Sequence, residues 1–227
     1  MKKSRNIICI AAHPDDEALG VGGTLIKHVN SGDQVYIVIL SEGEESKSER
    51  NLKDPKRKSK ALEWANLVGC KLYKVFNFPD QKLDTIPLLD IIQKLEKIFK
   101  ELKPEIVYLH HSGDINHDHQ IASQATLTAL RPMNSFGLQT EIRSFETPSS
   151  TEQAPYIDQY IFKPNLFVSV EKEWKTKLKA LKIYQNETGV FPHPRSLESI
   201  DALSIKRGVE SGYKRAEAFY IIRKFWN

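Results

Sequence analysis

The stretch Ile7-Ile8-Cys9-Ile10-Ala11-Ala12-His13-Pro14-Asp15-Asp16-Glu17 decides how the chain is read. Its first part is an unbroken apolar run of strand length, the pattern of a β-strand buried on both faces. Its second part places an imidazole and three carboxylates where that strand should stop. Pro14 fixes its own φ and keeps the turn between His13 and Asp16 tight, so that both can address one centre. A second cluster, His110-His111-Ser112-Gly113-Asp114-Ile115-Asn116-His117-Asp118-His119, follows another apolar run at 106–109.

Working outward, the chain alternates strand and helix patterns. Residues 6–12 read as the first strand. Gly20-Val21-Gly22-Gly23 opens a helix that runs to Asn30 and is closed by Ser31-Gly32-Asp33. A second buried strand is predicted at 35–40, and the first half of the charged segment 42–60 reads as a loop. A helix over 56–68 ends at Gly69, and a strand over 72–78 is stopped by Pro79. Residues 86–102 carry apolar side chains at helical spacing and end before Pro104. A strand at 106–109 and a helix at 118–130, capped by Asn116 or Asp118, follow. Further strands are expected at 142–145, 166–170 and 218–225, with helices at 174–184 and 197–210. Residues 149–155 read as a polar loop, and 191–196, with Pro192 and Pro194, as irregular.

Such alternation gives an α/β fold, a Rossmann-like three-layer sandwich with a mostly parallel sheet. Ligands bind such sheets beyond the carboxyl ends of the strands, where the strand order reverses. In the order 3-2-1-4-5 the first and fourth strands flank that reversal, and each of the two clusters follows one of them. The topology therefore brings the clusters together before any chemistry is considered.

The 227 residues suit one domain, with a core over about 1–150 and a C-terminal extension over about 151–227 that completes the site. A hydrophobic fraction of 40% and a charged fraction of 27% are ordinary for a globular protein. The net charge of +4, with basic residues dispersed, argues against nucleic acid as partner. No apolar run approaches the ~20 residues of a membrane span. Cys9 and Cys70 share no metal or redox spacing, and no signal peptide is expected, so the cytoplasm is the expected compartment. The sequence leaves a homo-oligomer open.

The chemistry follows from the residue types. Catalytic zinc takes three protein ligands from His, Asp and Glu and keeps one position open. The set that fits is His13, Asp16 and His119, with Zn2+ as the expected ion and another divalent metal as the substitute. Asp15, between two ligands, faces another way and stays free to act as general base. The ion lowers the pKa of a water molecule towards neutrality and Asp15 takes the proton. Two plainer readings compete. The His-Pro-Asp-Asp turn could be only a helix N-terminus, with carboxylates favourable to the dipole. His110 and His111 are taken as ordinary strand-end residues. The glycine run lacks the Gly-x-Gly-x-x-Gly spacing of a dinucleotide site, and an acidic cluster stands where a pyrophosphate would lie.

The segment 12–17 resembles the PIG-L/LmbE family of zinc-dependent N-acetylglucosaminyl de-N-acetylases. The likeness extends along the chain through Asp114 to His119, Asn165-Leu166-Phe167, His193-Pro194-Arg195-Ser196, Arg207-Gly208 and Gly212-x-x-x-Ala216-Glu217-Ala218-Phe219. The resemblance implies hydrolysis of an N-acetyl group on an amino sugar or its conjugate, a small-molecule substrate. It implies His13, Asp16 and His119 as metal ligands and Asp15 as base, with Asp118 as a relay carboxylate behind them. It also implies that Arg57 and Asp80 hold sugar hydroxyls. The second motif departs from the common His-Pro-Asp-His form. Asn116 stands where many members have the first His, and it can donate a hydrogen bond to an oxyanion but cannot supply a proton. His193 is the expected substitute proton donor, ahead of His117, whose side chain should point elsewhere. Arg195 is expected to bind an anionic part of the substrate, and Glu146 to lie on the rim. Two other functions compete: a non-catalytic sugar- or nucleotide-binding module, and a metal-dependent amidase or deformylase acting on a different acyl amide.

Overall fold

The computed structural model describes residues 3–43, 57–133 and 139–226. Seven strands form one sheet in the order β3-β2-β1-β4-β5-β7-β6. They are β1 (Asn6–Ala11), β2 (Gln34–Ser41), β3 (Lys71–Phe78), β4 (Ile106–His110), β5 (Glu141–Phe145), β6 (Leu166–Ser169) and β7 (Ala216–Arg223). The first five are parallel, and β7 and β6 extend the sheet antiparallel beyond β5. The expected order 3-2-1-4-5 is therefore present, and the fold is the α/β sandwich read from the sequence.

Strand alternation builds the layers. Ile7, Cys9 and Ala11 of β1 face one core with Ile37, Tyr108, Trp64 and Leu25, whereas Ile8, Ile10 and Ala12 face a second with Val38, Val107, Leu95 and Ala122. On the first face lie α1 (Asp16–Asn30), α2 (Arg57–Val68), α5 (Trp174–Leu181) and α6 (Leu197–Val209), and on the second α3 (Leu88–Leu102) and α4 (His117–Ala129). Cys9 and Cys70 are buried free thiols. Among the described residues no helix is long and apolar enough to cross a membrane.

Several boundaries move. The helix expected to begin at Gly20 begins at Asp16, so the acidic pair Asp16 and Glu17 forms its first turn. The glycines lie mid-helix because other chain segments press on them. A Cβ at Gly23 would sit 2.9 Å from Glu217 Oε1 and 3.0 Å from Val170 Cγ1. Glu217 accepts the Gly23 and Thr24 N–H groups (2.8 and 2.7 Å) and pairs with buried Lys177 (2.7 Å), which also donates to Leu19 O (2.9 Å). The Ala216-Glu217-Ala218-Phe219 motif is thus a brace for α1. The 149–155 loop contains a short 3-10 turn, Thr151–Gln153, and the expected 174–184 helix finishes as a second one, Lys182–Tyr184. The loop expected in the first half of 42–60 falls on 44–56, outside the described residues.

Candidate metal centre

The carboxyl ends of β1, β4 and β5 converge with the turn after β3. His13 and Asp16 come from the turn between β1 and α1. The Asp16 carboxylate accepts the His13 N–H at 2.9 Å and closes that turn around Pro14. His119 comes from the first turn of α4, whose N-cap is Asn116, its side-chain oxygen accepting the Asp118 N–H at 2.9 Å. One ligand atom from each of His13, Asp16 and His119 lies within 4.8 Å of the others, and all three residues are buried.

Asp16 Oδ2 lies 3.4 Å from both His13 Nδ1 and His119 Nε2. The far nitrogen of each ring faces a carboxylate. His13 Nε2 is 3.0 Å from Asp118 Oδ2 and 3.2 Å from Asp80 Oδ1, and His119 Nδ1 is 3.3 Å from Asp114 Oδ1. The Asp118 hydrogen bond orients the His13 ring and turns its opposite nitrogen inward, and Asp114 stands beside His119 Nδ1, placements like those behind metal-bound histidines. Asp118 is anchored in turn by the Gln81 and Leu83 N–H groups (2.8 and 3.0 Å). Asp114 accepts from Thr151 Oγ1 at 2.6 Å, from Ser150 Oγ, and from the Asn116 N–H at 2.9 Å.

Two observations test whether these residues suit a cation. Asp16 Oδ1 and His119 Nε2 are buried with no hydrogen-bond partner among the described residues, a costly condition that a coordinated ion removes. The site also attracts positive charge. Burial opposes a charged His119, yet Asp16 and Asp114 outweigh it and raise the ring to about 9. Burial likewise opposes a charged His13, but Asp118, Asp16 and Asp80 raise it well above its ordinary value. Burial pushes Asp16 up, and His119 and His110 overcome this, holding it well below the usual carboxylate range. A divalent cation on the inward lone pairs meets the same demand without those protons. The donor set fits.

Asp15 lies outside the group of His13, Asp16 and His119, but it is not free. Its Oδ2 accepts from Arg195 Nη1 at 2.9 Å and from Arg57 Nη2 at 3.5 Å. Burial raises its proton affinity, and the two guanidiniums hold it back. Asp15 is also a non-glycine residue at φ 115°, in the left-handed region, where backbone strain persists only if neighbours enforce it. Glu17 does so. It accepts the Asp15 N–H at 3.1 Å and the Tyr184 hydroxyl at 2.6 Å, and burial pushes its carboxyl up to about 8.

The other expected residues divide. Arg57 is buried and donates to Gly43 O (2.6 Å) and Pro14 O (3.1 Å), so it braces the turn between β1 and α1. Asp80 is buried against His13. Arg195 reaches the site, whereas His193 is exposed and its Nδ1 accepts the Arg195 N–H within its own turn. His117 is exposed, as expected. Glu146 is tied to Arg207 at 2.7 Å.

His110 is the last residue of β4, the strand-end place the plain reading gives it, and it is engaged on every side. It is fully buried, its Nε2 accepts the Ala12 N–H at 3.0 Å, and its ring stacks on His119 with centroids 3.9 Å apart. Burial and repulsion by His119 lower it to about 4, so it is neutral. His110 and Asp114 were both legible only as members of the second cluster. Position at the end of a switch-point strand was the available signal for the first, and spacing five residues ahead of His119 for the second.

Comparison with known proteins places the chain in a family. Residues 8–130 match the family described as GlcNAc-PI de-N-acetylase, PIG-L. The chain belongs to this family of deacetylases. It is 32% identical to YaiS of Escherichia coli K12, an uncharacterized deacetylase, over 81% of this chain and 92% of that one. Among solved structures it resembles the N,N'-diacetylchitobiose deacetylase of Pyrococcus horikoshii (TM-score 0.77, 21% identity, 97% of this chain and 84% of that one). It also resembles GalB, a 4-carboxy-2-hydroxymuconate hydratase of Pseudomonas putida KT2440 (TM-score 0.78, 19% identity, 98% of each chain). The last two likenesses concern the fold.

Proposed function

We propose that this family member is a zinc-dependent deacetylase that removes an acetyl group from the nitrogen of an amino sugar or a small sugar conjugate. The observation that carries the reading is the pair of orphaned buried atoms, Asp16 Oδ1 and His119 Nε2, beside an imidazole whose outer nitrogen is already committed. His13, Asp16 and His119 hold the ion, which when bound acidifies water and polarises the amide carbonyl.

The chain's own residues do the rest. Asp15 is the proton acceptor, since of the three carboxylates Asp16 faces the histidines and Glu17 is held by Tyr184 and the Asp15 N–H. Among the described residues its hydrogen bonds all fall on Oδ2, leaving Oδ1 for the proton. Arg195 and Arg57 hold it at a fixed angle while burial keeps its basicity up. Asn116, whose side-chain oxygen is engaged as N-cap, presents its amide N–H2 as the donor to the developing oxyanion. Asp15 then returns its proton to the leaving amine, because the imidazole of His193 faces solvent. Asp118 and Asp80 keep His13 in its tautomer, and Asp80 and Arg57 border the space for sugar hydroxyls. The named activity of the Pyrococcus relative, on diacetylchitobiose, supports an N-acetylated sugar as the first substrate class to try.

The test is metal analysis of the purified protein together with acetate release from a panel of N-acetylated amino sugars. About one equivalent of zinc, with activity that chelation removes and zinc restores, is expected. A protein that takes up no divalent metal, or that releases acetate equally well after chelation, sinks the reading.

A further inference from the structure

We propose that His110 is a positioning residue that sets the separation of the two metal-binding loops; the inference rests on the metal reading above. Backbone pairing between β1 and β4 runs from Ile7 and Ile106 to Cys9 and Tyr108. The ladder between the two strands ends there, before the last residues of each. There the imidazole of His110 takes over from the ladder and accepts the N–H of Ala12, the residue before His13, at 3.0 Å.

The chemistry of that bond fixes the ring. A backbone N–H cannot give up its proton, so Nε2 must be the acceptor and the mobile proton sits on Nδ1. Nδ1 lies 3.2 Å from Thr147 Oγ1, in the loop after β5. With Nε2 occupied, His110 has no lone pair for the metal, although that nitrogen lies only 3.4 Å from Asp16 Oδ2. Its flat face instead carries the ring of His119, nearly parallel at 17°, and its other neighbour is Phe145 at 4.7 Å. One fully buried side chain therefore touches the His13 loop by a hydrogen bond, His119 by stacking and the β5 loop by a second hydrogen bond. It acts through the ligands, as groups behind a metal shell do.

The test compares wild type with His110→Phe and His110→Gln. Phenylalanine keeps the stack and loses both hydrogen bonds, whereas glutamine's carbonyl can still take the Ala12 N–H. Zinc affinity is read by competition with a chromophoric chelator, and the thermal midpoint of the metal-free proteins by calorimetry. His110→Phe should weaken zinc binding about 10- to 100-fold, and His110→Gln should recover most of that loss. Nitrogen-15 spectra of the metal-free wild type should show His110 as the Nδ1–H tautomer at neutral pH. Wild-type zinc affinity in His110→Phe, with only a lower midpoint, would reduce His110 to core packing. An Nε2–H tautomer would overturn the proposal even if neither variant folds. A wild type that binds no zinc would fell the function proposed above as well, which separates the two failures.

Discussion

His28 and His119 are both buried imidazoles set among carboxylates, at opposite ends of the same strands. At the amino end, His28 Nδ1 bonds Asp33 at 2.7 Å and Nε2 bonds the Tyr108 hydroxyl at 2.9 Å. Arg5 closes on Asp33 at 2.6 Å and Arg143 on Tyr108 at 2.7 Å. Both ring nitrogens of His28 are satisfied, and burial lowers the ring's proton affinity. At the carboxyl end, Asp16 Oδ1 and both ring nitrogens of His119 lack hydrogen-bond partners among the described residues, and the ring's proton affinity is raised. The residue types are nearly the same. What separates a brace from a binding site is whether the hydrogen-bond inventory closes.

Asp15→Asn would put the most strain on that contrast. It preserves shape and removes the proton acceptor, so acetate release should drop about a thousandfold while zinc content, read by metal analysis, stays at the wild-type level. A fall of less than tenfold takes Asp15 out of the chemistry. Next comes a matched pair. His119→Gln should cost at least about a hundredfold in zinc affinity, since it removes an inward nitrogen. His28→Gln should leave zinc affinity untouched and cost about 1–3 kcal/mol in urea denaturation, because Asp33 and Tyr108 lose a buried partner. The reverse pattern would break the comparison outright.

The smallest effect concerns acid. The Asp33 carboxyl, pushed up by burial but more than compensated by Arg5 and His28, sits at about 2, against ~3.9 in an unfolded chain. A depressed carboxyl contributes stability above its unfolded pKa and loses it as pH falls through its folded one. The advantage of wild type over Asp33→Asn should therefore be on the order of 1 kcal/mol at neutral pH, after solvent screening, and close between pH 4 and pH 2. A gap that persists at pH 2 would assign the effect to hydrogen-bond geometry instead of charge.

Much of this was readable from residues alone. Continuous apolar runs at 7–10 and 35–40 announced strands covered on both faces, and a periodic 86–102 announced α3. The switch-point rule then placed His13, Asp16 and His119 together. Helix starts were harder: the glycines at 20–23 look like an opening, but they are required by Glu217 and Phe145 packing from far along the chain. The standing of Asp15 was harder still, because its guanidinium partners, Arg57 and Arg195, lie 42 and 180 residues away.

Sequence by itself determined the order of the first five strands and the meeting of His13, Asp16 and His119 at their carboxyl ends, since each rests on local pattern and on a general rule of strand connection. Tertiary structure alone decided which polar groups are satisfied. It made His28 a brace, His110 a link between loops and Asp15 an ion-paired carboxylate, because whether a donor meets an acceptor depends on where distant segments come to rest.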